Sequence, residues 1–338
     1  MAQRDAVRGV RGAGLRGEAQ PLRRRAFLGM AAAAVAARSS PARALGGPGK
    51  RGLVAAISCD GDPADFLPGL DSALAAITGL GGPDTWRSLF APGDRVAIKL
   101  NCLSGASLSP RPPLVDAVVR GIRSAGVPAG AIVLFDRTSR ELERAGYPIA
   151  RAADAVRCFG TDALRGGGYE TEIREHRSIG SLFTRILTEH ATVLVNVGVC
   201  KDHDLSGVSA ACKNLFGLIH NPNRYHANRC DPYLADLLDH PAIAPKLRLN
   251  IVDAIDAQCH GGPALAPPYL FKPRKILVSL DPIAIDRIAW EMIEAERAAR
   301  GMPALRDDGR EPTWLATAEG RGLGIADRSR IAVREVAA

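Results

Sequence analysis

The reactive side chains of this sequence are gathered in one stretch. Residues 200–231 contain Cys200, His203, Cys212, His220, His226 and Cys230, out of seven Cys and seven His in the whole chain. Lys201 and Lys213, two of only seven lysines, fall in the same stretch, although arginine is by far the commoner cation elsewhere. Solvated charge alone does not account for such an excess. An imidazole titrates near neutral pH and can serve as acid, base or metal ligand, and a thiolate is a metal ligand. A lysine desolvated beside a strand end binds an anion or, with its pKa lowered, acts as a base. His203, His226 and Lys201 are therefore expected as catalytic groups, and Lys99 and Lys213 as ligand-binding cations. His203, His226 and Cys230, with His220, would hold a metal ion if the segment folds back on itself. No Cys-x-x-Cys pair and no His-Glu-x-x-His helix occurs, so the spacing specifies no known metal site. The alternative is that each histidine is a hydrogen-bonded loop or core residue, and that Cys212 is a small buried apolar one.

Elements must position these groups. Short apolar runs at 53–57, 95–100, 131–135, 191–199, 247–252 and 275–280 have the composition of strands buried on both faces. Helical spacing appears between them at 113–125 and 282–299. Alternating strands and helices predict a single large α/β domain with a mostly parallel sheet flanked by helices. In such sheets ligands bind outside the carboxyl ends of the strands. Those ends are polar: Lys99 and Asn101, Asp136, the run Cys200-Lys201-Asp202-His203, Asp253 and Asp281. All five are expected at one edge, with Asp253 orienting or coordinating. An Asp after a strand is often only the cap of the next helix, and Asp281-Pro282 fits that reading well.

The formal charge of +8 invites a nucleic-acid partner, but its distribution argues against one. Residues 1–44 hold nine Arg against Asp5 and Glu18, a net +7, which leaves 35 basic and 34 acidic residues in 45–338. A near-neutral body offers no phosphate-tracking face. The leader joins its arginines to an Ala-rich apolar run at 27–37 and to Ala42-Arg43-Ala44, the layout of an export signal. Arg24-Arg25-Ala26-Phe27-Leu28 is similar to the twin-arginine consensus. The expectation is a signal peptide over 1–44, export by the twin-arginine machinery, cleavage near Ala44, and a periplasmic α/β domain over 45–338 with no transmembrane segment. In an oxidising compartment Cys230 and Cys259 are a candidate disulfide, with connectivity open.

Several of these residues together resemble a known family. They are Lys99-x-Asn101, the segment from Val197 to His203, Gly207 to Gly217 with Cys212-Lys213-Asn214, His220 to His226, and Asp281-Pro282-Ile283-Ala284-Ile285-Asp286. In this order they resemble the bacterial and archaeal family catalogued as domain of unknown function 362, over roughly residues 53–335. The resemblance implies an α/β domain and a pocket formed by these polar positions, which adds Asn101 and Asn214 as ligand-binding candidates beside Asp136 at its strand end. It implies no settled reaction. Some relatives carry closely spaced cysteines of the ferredoxin kind, and this chain has no such run, so a built-in iron–sulfur cluster of that type is not expected. The reading is an enzyme acting on a small anionic or metal-chelating molecule, with a metal ion or metallocofactor as an open cofactor question. The alternative is a non-catalytic binding protein for an anion, metal or metallocofactor.

Overall fold

The computed structural model describes residues 52–59, 65–82 and 84–338, so the expected signal peptide lies outside the described residues. In chain order the strands are β1 (Gly52–Ser58), β2 (Val96–Leu100), β3 (Ile132–Phe135), β4 (Arg157–Cys158), β5 (Arg174–His176), β6 (Ile179–Ser181), β7 (Val193–His203), β8 (Gly207–Ser209), β9 (Leu247–Gln258), β10 (Leu270–Phe271), β11 (Lys275–Ser279) and β12 (Ile331–Ala337). The helices are α1 (Leu67–Thr78), α2 (Asp84–Leu89), α3 (Pro112–Ser124), α4 (Ser139–Arg144), α5 (Ala211–Asn214), α6 (Tyr233–Leu238), α7 (Pro282–Ala299) and α8 (Trp314–Gly320). Among the described residues no helix is long and apolar enough to cross a membrane.

The large sheet runs β12-β1-β11-β9-β7-β2-β3-β4, with β10 added to β9 and β8 to β7. The expected mostly parallel α/β sheet is present, since β12/β1, β9/β7, β7/β2, β2/β3 and β3/β4 are all parallel. Alternate side chains of its strands enter opposite layers. Val96, Ile98, Val195 and Ile251 pack with Leu70 of α1 and Leu114 and Val118 of α3 on one face. Ala97, Val133 and Leu194 face the layer holding α5, α6 and α8, while Val252, Ala254 and Leu277 face α7. Each fully buried Leu or Ile in these layers contributes about 1.5–3 kcal/mol relative to exposure. In α3, Pro112 at the first position and apolar residues at 114, 115, 118 and 122 fix the start and the buried stripe.

One strand departs from expectation. β11 is antiparallel to both neighbours, with Ser279 opposite Asn250 and Lys275 opposite Ala254. Between β9 and β11 the chain carries no crossover helix, only a loop, a single 3-10 turn at Pro267–Tyr269 and β10, which turns back antiparallel on β9, so the return is a hairpin-like one rather than a parallel crossover. The carboxyl end of β11 therefore lies at the edge where β9 begins, and Asp281 is at the opposite edge from the other strand ends. Its carboxylate caps α7, accepting from the amides of Ile283 and Ala284 at 2.9 Å each. The cap reading of Asp281-Pro282 is the correct one.

Candidate functional site

The two strands nearest the site run on beyond their apolar stretches. β7 continues through Cys200-Lys201-Asp202-His203, residues expected in a loop beyond the strand, because β8 pairs with them: Lys201 opposite Ser209, Asp202 opposite Val208 and His203 opposite Gly207. The extension is thus one arm of a hairpin. Gly207 supplies its positive φ of 76°, and the Arg310 carbonyl crowds against the position a Cβ would take. The amides of Leu205 and Ser206 in the turn point at Nδ1 of His203, at 3.1 and 3.4 Å. The Asp204 carboxylate also lies 2.9 Å from that nitrogen, which would suit a protonated Nδ1. The backbone donors are fixed whereas Asp204 is exposed, so Nδ1 is assigned as the acceptor and Nε2 as the N–H.

Lys99, Asp136 and Asn214, expected to bind ligand, instead complete one another. The Lys99 ammonium donates to Asp136 Oδ1 at 2.6 Å, to the Leu100 carbonyl at 2.5 Å and to Asn214 Oδ1 at 3.1 Å, so all three of its protons are committed. Asp136 is equally occupied, accepting from the amides of Cys102 at 2.7 Å and Arg137 at 2.8 Å. Asn214 Nδ2 donates to Asn196 Oδ1, and Asn196 Nδ2 donates to Asn250 Oδ1 and to the Ala211 carbonyl. In register, Lys99 lies opposite Asn196 and Asn196 opposite Asn250, a polar row across three strands. Gly217 closes over it, since a Cβ there would meet Lys99 Cε at 2.5 Å.

Lys201 and Lys213 differ from Lys99. Both are buried, yet neither has a carboxylate within ion-pair reach among the described residues. Lys201 Nζ donates to Ser104 Oγ at 3.0 Å and Asn101 Oδ1 at 3.3 Å, so Asn101 joins this group. Lys213 Nζ donates to His226 Nε2 at 2.8 Å and stands 4.0 Å over the Phe216 ring. His226 Nδ1 gives its proton to the Pro222 carbonyl at 3.0 Å, which leaves Nε2 as the acceptor. Burial brings each lysine down to about 8. Burial, then the charges of Lys213, His226, Lys201 and Arg310, drives the His203 imidazole far below its ordinary value, so it is neutral. Burial and Lys213 likewise lower His226. The His203 and His226 rings stack at 5.4 Å. Lys213, His226 and Lys201 all act electrostatically on His203, so the hairpin gathers a donor-rich focus that favours negative charge.

Asp253 is not part of it. The pleat puts Asp253 on the face opposite Asn250 and Lys99, toward α3, where it accepts from the Arg111 amide at 3.0 Å and the Ile255 amide at 3.1 Å. The Arg111 guanidinium lies 3.7 Å away, and burial raises Asp253 to about 6. Asp253, Asp256 and Arg111 line a cleft of about 480 Å³ with Ser107, Ser109 and Phe66. A second cleft, of about 680 Å³, is lined by Arg165, Tyr169, Glu170, Arg174 and Arg185, far from the hairpin in sequence and in partners. Neither is lined by Lys201, Lys213 or His203.

The metal set does not assemble. Among the described residues no group of three or more His, Cys, Asp or Glu is arranged to hold an ion. The ring nitrogens His203 Nδ1, His226 Nδ1 and His226 Nε2 are engaged in hydrogen bonds, His220 Nδ1 takes the Leu182 amide, and Cys230 is a buried thiol raised to about 11 by burial. The candidate disulfide is also corrected: Cys230 packs among Leu234, Tyr225 and Trp314, Cys259 packs in the layer of α7, and both are free. Asn228, Arg229 and Cys230 all have positive φ, a strained run that shapes the loop behind His226. Ser104, Asn196, Phe216, Asp286 and Arg310 are site residues the sequence did not single out. Asp286, in the Asp-Pro-x-Ala-x-Asp element, had the clearest signal: its two oxygens accept from the amides of Ala211 at 2.6 Å and Cys212 at 2.9 Å, at the start of the helix that carries Lys213.

A comparison with curated proteins gives no match. The family model Domain of unknown function (DUF362) matches residues 96–291, more than half of the chain and the whole span from Lys99 through the hairpin to Asp286. The polar row and the hairpin focus are thus features of a DUF362 chain, and it is to that family that the protein belongs.

Proposed function

We propose that the protein binds a small carboxylate- or phosphate-bearing molecule at the Lys201–Lys213–His203 focus, and that the Lys213–His226 pair passes a proton to or from it. One observation carries the reading: two buried ammoniums have no carboxylate partner among the described residues. Burying an unpaired charge costs several kcal/mol, and an anionic ligand would supply the missing partner. The neutral His203 adds an uncharged Nε2–H donor, and a lysine near 8 hydrogen-bonded to an imidazole can exchange a proton close to neutral pH. The twin-arginine-like leader supports export, which would place this chemistry in the periplasm.

The non-catalytic alternative also has an observation in its favour. Lys201, Lys213, His203 and Asn101 are each at most 9% exposed, an enclosure that suits retention better than rapid turnover. Titration calorimetry with inorganic phosphate and with oxalate at pH 7 and pH 9.5 tests the shared premise. Binding should weaken at the higher pH as both lysines lose charge, and should be lost in Lys201→Met and Lys213→Met. Failure of the wild type to bind either probe, or undiminished binding by both variants, would end the anion-site reading.

A further inference from the structure

Two carboxylates act on Lys201, those of Asp136 and Asp202, and each is claimed by a different cation. Asp136 is held by Lys99 at 2.6 Å. Asp202, the neighbour of Lys201 in β7 and fully buried, is held by Arg310 Nη1 at 2.9 Å, while its other oxygen accepts from the Gly262 amide at 2.8 Å. Arg310 Nη2 goes on to Asp308 at 2.6 Å, and Asp308 also holds the buried Arg297 at 2.8 Å. The row Asp202, Arg310, Asp308, Arg297 alternates in sign and sums to zero. The segment that delivers Arg310 is fastened to the hairpin at a second point, where Trp314 Nε1 donates to the Ser206 carbonyl at 3.2 Å. It lies beyond the residues that the family model matches.

We propose that Arg310 is a positioning residue that keeps the hairpin focus cationic by holding Asp202 as its own counter-ion. Without Arg310, Asp202 would be a buried carboxylate with no ion-pair partner, and its charge already acts on the neighbouring Lys201 ammonium. It would draw that ammonium's charge and repel an incoming anion. The inference rests on the anion-site reading, and names which residue outside the site sets its charge.

Phosphate affinity at pH 7, measured by calorimetry on the purified protein, tests it with Arg310→Gln, Asp202→Asn and the double variant. Arg310→Gln should weaken phosphate about tenfold, the effect of one uncompensated charge nearby. Asp202→Asn should bind at least as tightly as the wild type, because the side-chain amide oxygen introduced by that substitution would still accept from Gly262. The double variant should return to within about twofold of the wild type, since it carries neither the Asp202 carboxylate nor the guanidinium that offsets it. A double variant as weak as Arg310→Gln would make Arg310 a mere clamp and overturn the proposal, as would an undiminished Arg310→Gln. Should Arg310→Gln fail to fold, weaker phosphate binding by Asp202→Asn than by wild type would overturn it equally. A wild type that binds no phosphate removes the anion site itself, and this inference with it.

Discussion

The Lys213 ammonium lies 2.8 Å from Nε2 of His226, with the Phe216 ring 4.0 Å beneath it. A lysine held by an imidazole and an aromatic face keeps donors free that a carboxylate would have taken, and so does Lys201 between Asn101 and Ser104. Lys99 has none to spare. His226 therefore orients a cation rather than neutralising it.

His226→Ala should cost only about 1 kcal/mol of stability, the worth of the hydrogen bond to Pro222. Phosphate affinity should fall about tenfold, or about 1.4 kcal/mol, as Lys213 loses its fixed direction. Thermal melting paired with calorimetry reads both. A large drop in melting temperature with affinity intact would make His226 structural.

The three lysines should separate in a mutational series. Lys99→Met strands Asp136 without its counter-ion in the interior and should cost about 3–5 kcal/mol. Lys201→Met and Lys213→Met remove buried charges that have no counter-ion and should leave stability at pH 7 unchanged or raised. Urea denaturation of the three variants decides this, and equal losses across them would contradict the distinction drawn between the polar row and the hairpin focus.

Lys201 falls from an ordinary 10.5 to about 8 in the folded protein. Between those values the unfolded chain binds a proton that the native state has shed, so this lysine's contribution to stability grows as pH rises. Buried thiols act the other way, because they ionise more readily when unfolded, so the comparison must be with Lys201→Met. From pH 8 to about 10.5 the wild type should gain on that variant by up to about 1.4 kcal/mol per pH unit. A difference that stays flat across this range would show that Lys201 titrates normally.

All seven cysteines are buried, and burial raises the thiols of Cys102, Cys158, Cys200, Cys212, Cys230 and Cys259, all six of them free. The thiolate is the reactive form. A disulfide reagent such as Ellman's should therefore count none of these six thiols in the native protein at pH 8 and all six after denaturation. Rapid labelling of native protein would mean that at least one of these layers opens readily.

Replacing both Arg24 and Arg25 with Lys should leave the precursor in the cytoplasm, if the leader uses the twin-arginine route. Fractionation followed by immunoblotting distinguishes the outcomes. Normal periplasmic accumulation of the double variant would refute that route.

Composition and periodicity by themselves determined the α/β class, most of the sheet's strands and the helices at Pro112–Ser124 and Pro282–Ala299, because apolar runs and the 3.6-residue stripe are local properties of the chain. They also located the polar stretch that holds Lys201, His203, Lys213 and His226. The family match from 96 to 291 covers the same residues. What each polar group does was decided by tertiary structure, since it depends on partners far away in sequence. Lys99 became a structural pin through Asp136 and Asn214, and Asp253 fell on the other face because the pleat alternates. Asp281 went to the other edge because β11 runs antiparallel. Asp202 was matched to Arg310, 108 residues on, by a fold that laid the chain's last segments over the hairpin. Residue type limits what a side chain can do; only the neighbours that share its burial decide which of those capacities remain free.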